Sequence, residues 1–282
     1  MTPDLVRSAV QKLENLNPDY EFVYEEALKI FLSLNLFPAI IDEIDAGTSL
    51  VRSRTHSSGE DFFYKISDIF IPPPEVVKSF ARCNRPFQPK FYCSENRPTS
   101  YMELVEDWVQ NIKPDDKLHV TISKWVTQKS FKVIIVTTPD KSLRLSPFDN
   151  YYGGGFDEAI ESFDSETKEA CILLYRYLFE KFRKHAKHDK KIYIITAAYC
   201  NLAFHVAKDK SDAIMYPSIP AIEKGMNFAF NKDISTQSFL KLESVSRNEL
   251  TAKIGNKGVI NFAESGILHA ASFETSTNKI IW

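Results

Sequence analysis

The chain has 282 residues, enough for one large domain or two small ones around a sizeable core. Its composition, 44% hydrophobic and 26% charged, is that of a soluble globular protein, and a net charge of −2 gives no electrostatic case for binding bulk nucleic acid or an anionic membrane. No apolar run reaches the ~18 residues of a membrane span, and the start, MTPDLVRSAVQKLENL, lacks the charged-then-apolar pattern of a secretory leader. The four cysteines, Cys83, Cys93, Cys171 and Cys200, form no CxxC and read as free thiols in a reducing cytoplasm. His185 and His188 lie on a lysine-rich run with no cysteine pair beside them, so no metal site is expected.

Residues 2–46 read as helical. Thr2 can cap, Pro3 fits the first helical position, and Leu5, Ala9, Leu13 and Leu16 keep one face apolar. Asn17-Pro18-Asp19 ends that helix, and Phe22, Val23, Ala27, Ile30, Phe31 and Leu34 form a second stripe that Gly47 can stop. SLVRSR (49–54) reads as a strand and FIPPPEVV (70–77) as a loop, because three prolines break both regular structures. KFYC (90–93) is a short strand and 98–109 a helix. KLHVTISKWV (117–126), FKVIIVTT (131–138) and KSLRLSP (141–147) read as antiparallel strands. Tyr151-Tyr152-Gly153-Gly154-Gly155 reads as a turn or a lid. The pattern predicts helices over 165–187 and 193–207, the first ending in the cationic, solvated run KFRKHAKHDKK. LKLESV, GVINFA, GILHAASFET and KIIW make the last 45 or so residues strand-rich. The expected organisation is an N-terminal helical extension (1–46), a catalytic unit (47–235) and a strand-rich C-terminal extension (236–282) on the same domain.

Chemistry concentrates in two stretches. Residues 81–105, ARCNRPFQPKFYCSENRPTSYMELV, carry Arg82, Tyr92 and Glu103 ten and then eleven residues apart. IMYPSIP and GMNFAF then bring Ser218 and Asn227. A guanidinium can hold a pyrophosphate, an aromatic ring can stack on a flat ring, a carboxylate can stabilise a cationic transition state, and a hydroxyl or amide can orient polar groups. Each residue alone also has a plainer reading: Arg82 and Arg85 as surface cations, Tyr92 as core, Glu103 on a solvated helix face, Ser218 opening a turn. Neither GxGxxG nor GxxxxGK[ST] occurs, and Ser218, His205 and Asp212 come without GxSxG, which argues against a serine hydrolase.

The ordered set Arg82-x-Asn84, Phe91-Tyr92, Glu103, Tyr216-Pro217-Ser218 and Gly225-Met226-Asn227-Phe228-Ala229 resembles the RES domain family, over roughly residues 49–235. LVRSR, with Arg52 and Arg54, is similar to that family's first, arginine-bearing strand. Ala81 stands where the family usually has glycine, Arg85 separates Asn84 from Pro86, and no arginine follows Ser218-Ile219-Pro220. The resemblance implies a mixed α/β fold of the α+β type, similar to ADP-ribosyltransferase toxins, with two packed sheets. It implies a cytoplasmic enzyme that consumes NAD by hydrolysis or phosphorolysis, without a metal, and acts as a toxin or growth-arrest effector restrained by an antitoxin or inhibitor protein. On that resemblance Glu103, Arg82 and Tyr92 are catalytic, and Arg52 or Arg54, Asn84, Ser218 and Asn227 bind the dinucleotide. A protein ADP-ribosyltransferase and a non-catalytic nucleotide-binding or interaction module are the alternative expectations.

Overall fold

The structure is a computed structural model that describes residues 1–282 except 36–37, 57–62, 110–112, 114, 186–188, 208–210, 219–224, 232–237 and 255–259. His188, Ile219 and Pro220 therefore lie outside the described residues, as does part of the expected boundary at 235/236.

Two helices open the chain, α1 (Pro3–Glu14) and α2 (Val23–Leu32). Thr2 caps α1, its hydroxyl accepting from the Leu5 N–H, and Pro3 sits in the first turn where its missing donor costs nothing. The expected helical stretch ends earlier than 46, because Ile40–Ile44 is a strand, β1. Gly47 then turns the chain at φ +85°, a conformation open to glycine, and stops no helix. β2 (Ser49–Thr55), β3 (Phe91–Ser94), α4 (Arg97–Val109), β4 (Lys117–Thr127) and β5 (Phe131–Ile135) follow where the sequence predicts them, with the short α3 (Ile66–Ile69) between β2 and β3. The proline loop holds one 3₁₀ turn, Pro74–Val76.

Residues 141–147 are not a strand: Lys141–Leu143 is a 3₁₀ turn leading into α5 (Pro147–Ile160). The Tyr-Tyr-Gly-Gly-Gly segment is not a loop either, but the middle of α5. A capping box starts that helix: the Ser146 hydroxyl accepts from the Asp149 N–H, and the Asp149 carboxylate accepts from the Ser146 N–H. Gly153 has a packing reason. A Cβ there would stand 2.3 Å from Nε of Arg144, whose buried guanidinium forks onto Asp157 at 2.8 and 2.9 Å and donates to the carbonyls of Thr138 and Pro139. α6 (Ser165–Phe182) and α7 (Lys191–Val206) come next, then β6 (Ala213–Pro217), β7 (Met226–Phe230), β8 (Leu240–Ile254) and β9 (Ile260–His269). A small hairpin, β10 (Ser272–Glu274) with β11 (Lys279–Ile281), ends the chain.

The fold is mixed α/β. Among the described residues nine strands form one sheet in the order β1-β5-β6-β7-β3-β2-β4-β8-β9, in which β5 and β6 are parallel and the other neighbours antiparallel. The expectation of two packed sheets is corrected to this single continuous sheet. It curls until Phe239, just before β8, meets Phe131 of β5 and Phe230 of β7 at 5.8 and 5.9 Å between ring centres. Curling encloses an inner core of Phe131, Val133, Met215, Phe228, Trp125 and Leu242. On the outer face α1, α2, α6 and α7 pack against Ile134, Ile214 and Ala229. With period 2 along each strand, β5, β6 and β7 are thus apolar on both faces. The first and last segments are integral to this body: β1 pairs with β5, and β8 runs along β4 from Leu240 to Thr251. Among the described residues no helix is long and apolar enough to cross a membrane.

Two glycine substitutions in α5 should have opposite signs. Gly153→Ala must displace the Arg144 guanidinium, and a loss of about 1–3 kcal/mol is expected. At Gly154 an added Cβ meets nothing within 4 Å, so Gly154→Ala should stabilise by roughly 0.5–1 kcal/mol through helix propensity alone. Urea unfolding of the two variants against the parent chain measures both.

Candidate active site

Strand register lays the site out. Tyr216 of β6 faces Asn227 of β7, Asn227 faces Ser94 of β3, and Ser94 faces Val51 of β2. Directly paired residues share a face, so these four make one row on the outer side of the sheet. Tyr216 belongs to the core under α6 and α7, whereas Val51 belongs to a separate cluster under α4, with Val105, Val120, Ile122 and Leu250. Where one helical layer ends and the other begins, the buried Ser94 and Asn227 line the base of a cavity of about 290 Å³.

The β2–β3 ladder consists of the single pair Val51↔Ser94. Beyond it the strands part, and Arg52 reaches the cavity through the opening although its neighbours Leu50 and Phe91 belong to the inner core. Arg52 Nη1 donates to the Tyr92 carbonyl at 2.6 Å, a side-chain bond where a ladder bond would otherwise run. Its guanidinium lies 5.4 Å from the centre of the Phe91 ring, and its Nε is buried with no hydrogen-bond partner among the described residues. Burial, with Arg54 beside it, pulls Arg52 down to about 10, so it remains cationic at neutral pH.

Glu103 comes from the second turn of α4. Its Oε1 accepts from the Ser218 hydroxyl at 2.6 Å and from Asn227 Nδ2 at 2.7 Å. Asn227 Oδ1 in turn accepts from the Ser94 hydroxyl at 2.7 Å, which fixes the amide with its nitrogen toward the carboxylate. Both bonds to Glu103 fall on one oxygen; Oε2 has no hydrogen bond to the described residues. Gly225, just before β7, keeps this geometry close. A Cβ there would lie 2.1 Å from Thr99 Oγ1, in the first turn of α4.

Arg82 forms the opposite wall. Its Nη1 donates to the carbonyls of Phe182, the last residue of α6, and of Lys184 just beyond it, which have no intrahelical donor. Its guanidinium sits between the rings of Tyr193 and Tyr216, 5.5 and 5.6 Å from their centres. Burial acts to lower its pKa, but Tyr193, Tyr216 and Glu103 outweigh that and hold it above the ordinary arginine value. The cationic end of α6 is therefore not simply solvated. Phe182 is fully buried, Lys181 is buried in an ion pair with Glu14 at 2.6 Å, and His185 lines the cavity.

Tyr92 places its ring in the wall and uses its hydroxyl as a brace, accepting from the Cys83 N–H at 2.9 Å and donating to Asn84 Oδ1 at 2.8 Å. Burial raises the Tyr92 pKa well above the ordinary phenol range.

Of the residues singled out from the sequence, Arg52, Arg82, Tyr92, Glu103 and Asn227 line the cavity. Ser218 is fully buried behind Glu103 and orients that carboxylate. Asn84 lies behind Tyr92, and its amide donates to the Arg85 carbonyl at 3.0 Å. Arg54 turns away from the cavity, donating to the Asp68 carbonyl and covering the Phe63 ring. Sequence reasoning passed over Ser94, Tyr193 and the position of His185. Nothing local marks Ser94 or Tyr193; the row of paired strands and the end of α6 bring them in. Among the described residues no cluster of three or more His, Cys, Asp or Glu side chains stands ready to hold a metal ion.

No protein-family model matches the chain, and no curated protein matches it significantly. The likeness to the RES family thus rests on the residues themselves.

Arg82→Lys should cost about 1–3 kcal/mol in stability, because an ammonium cannot lie flat between two rings while serving both α6 carbonyls. Chemical denaturation measures the loss. A change under ~0.5 kcal/mol would mean that the α6 carbonyls find other donors.

Proposed function

We propose that the protein cleaves the nicotinamide–ribose bond of NAD, transferring ADP-ribose to water or phosphate. The observation that carries this reading is the disposition of charge: a carboxylate held by two donors on one oxygen, its other oxygen unbonded among the described residues, in a cavity also lined by the guanidinium groups of Arg52 and the buried Arg82. The excess of positive charge favours an anionic ligand such as a pyrophosphate. The volume is near the lower end of the ~300–1,000 Å³ range of ligand pockets, which suits the nicotinamide riboside half of NAD with the remainder over the rim.

In this reading the Arg52 guanidinium meets a phosphate oxygen, and the Tyr92 ring stacks on nicotinamide or ribose. Glu103 Oε2 accepts from the ribose hydroxyls. As the C1′–N bond breaks, its electron pair neutralises the pyridinium nitrogen, so the leaving group needs no proton. Positive charge grows on the ribose, where the carboxylate stabilises it electrostatically. Water or phosphate then adds to C1′, with water releasing its proton to solvent. Arg82 works chiefly as a fixed wall, since one of its nitrogens already serves α6. A growth-arrest role follows if the activity is unrestrained: induction in cells should deplete NAD unless an inhibitor protein covers the site.

Glu103→Gln tests the reading. The amide keeps size and polarity but loses the charge, so single-turnover nicotinamide release should fall by ~10²–10³ while NAD binding changes far less. Chromatography of nicotinamide, ADP-ribose and ADP-ribose-1″-phosphate, with and without phosphate, identifies the acceptor. Release at the parent rate would remove Glu103 as the central carboxylate. Binding of NAD without any release by the parent chain would favour a nucleotide-binding module.

A further inference from the structure

The sheet has an open edge at β1, away from the candidate active site. Among the described residues β1 pairs with β5 alone. Along β5 the Val136 N–H donates to the Met215 carbonyl at 2.9 Å, and the Lys132 carbonyl accepts from the Asp212 N–H at 2.7 Å. Even-numbered residues of β5 thus turn their backbone groups to β6 and odd-numbered ones to β1. The register pairs Ile40, Asp42 and Ile44 with those odd residues, so Ile41 and Glu43 turn their N–H and C=O groups outward. The Glu43 N–H is covered by Asp42 Oδ1 at 2.8 Å. No described residue covers the outward groups of Ile41. Edge strands are commonly guarded by charged side chains, above all Lys, or by Pro; IIDEI has no Lys or Pro, and its only charges are the carboxylates of Asp42 and Glu43, which favour a cationic neighbour.

A groove runs along this edge. A cavity of about 590 Å³ separates β1 from α5, and one of about 340 Å³ that shares Ile41 and Asp42 continues it toward Lys132. Gly154 and Gly155 lie on the α5 side, and a Cβ at either position would meet nothing within 4 Å. Tyr151 is 70% exposed above it, and the Tyr152 hydroxyl donates to Asp42 Oδ2 at 2.8 Å. The lining carries the carboxylates of Asp42, Glu43 and Glu158 against the ammonium of Lys132.

We propose that this groove docks an extended, lysine- or arginine-bearing segment of a partner protein, which adds to the sheet as a strand beside β1. The outward backbone of Ile41 supplies the register, as in strand addition generally. The bare glycines leave room for the segment's side chains, the carboxylates take its cations, and the exposed tyrosine rings offer a second surface for them. Charge complementarity decides the occupant. Two β1 edges brought together would set Asp42 and Glu43 of one copy against those of another, which like-charge pairing across strands disfavours. Nucleic acid is repelled for the same reason.

The test is fluorescence anisotropy of the full chain with a labelled peptide of alternating lysine and valine. The expected result is saturable binding that weakens as salt is raised. It should fall by about tenfold or more for a glutamate–valine peptide, and for a lysine–valine peptide with a central proline that removes a backbone donor. Gly154→Leu fills the groove with a good helix former and should abolish binding, with circular dichroism confirming the fold. Glu158→Gln should weaken binding several-fold and serves if the leucine variant does not fold. Absence of binding up to ~1 mM peptide overturns the proposal. So does equal binding of the proline peptide, which would mean attraction without strand addition. Equal binding by both variants also overturns it. If sedimentation shows a dimer that Gly154→Leu converts to monomer, the edge belongs to a second copy and the proposal falls.

Discussion

The site depends first on the bond between the Arg82 guanidinium and the end of α6. A helix terminus leaves carbonyls without donors, and a buried terminus must find them elsewhere. Here a side chain from a distant loop supplies them for Phe182 and Lys184. One contact therefore closes α6, seats the loop at 81–84, and brings Tyr193 and Tyr216 against a flat cation. Neighbouring bonds tie the same loop to β3 and α7: the Cys83 N–H donates to the Tyr92 hydroxyl, and the Cys200 thiol approaches the Arg82 carbonyl at 3.7 Å. Cavity wall and architecture share one residue, which explains why Arg82 is buried although it lines a cavity.

Glu103 depends on a different set of elements. Its carboxylate rides on α4, but its donors come from β7 and from the residue after β6. Four strands fix where those donors stand, and the contact of Gly225 with Thr99 fixes how near α4 comes. A helical glutamate is ordinarily a solvated residue. This one is held because a hydroxyl and an amide, far away in sequence, both aim at one of its oxygens.

Much of this was legible in the chain. α1, α2, α4 and α6 announce themselves by apolar spacing, and β4 by alternation, because each presents one face to a core, whereas α7 is apolar nearly all round. β6 and β7 carry no such signal. AIMYP and MNFAF are buried on both faces, so period 2 disappears into continuous apolar runs. α5 was hidden by its three glycines, whose purpose at Gly153 is visible once Arg144 is seen lying over it. β1 was hidden because IIDEI follows helical sequence without a break. At the site, residue type and order pointed to Glu103, Arg82 and Tyr92, yet could not separate Arg52 from Arg54, two positions apart on one strand. The parting of β2 from β3 makes that distinction, and no local pattern encodes it. Ser218 and Asn84 stood out in the same way, but burial places them behind the wall.

The single-pair junction between β3 and β2 also divides the sheet's ladder into two halves. On one side stand β1, β5, β6, β7 and β3; on the other β2, β4, β8 and β9, with α4 fastened to the second group. A sheet resists shear through its ladder, and here the ladder narrows to Val51 and Ser94. The bonds from Ser218 and Asn227 to Glu103, and from Arg52 to the Tyr92 carbonyl, cross that junction and act as its stitches. A slight slide of one half against the other changes the reach of those bonds and also shears the inner core, which Leu50, Trp125 and Leu242 share with Phe131 and Phe228. The carboxylate, held across the junction by Ser218 and Asn227, thus registers the alignment of the two halves.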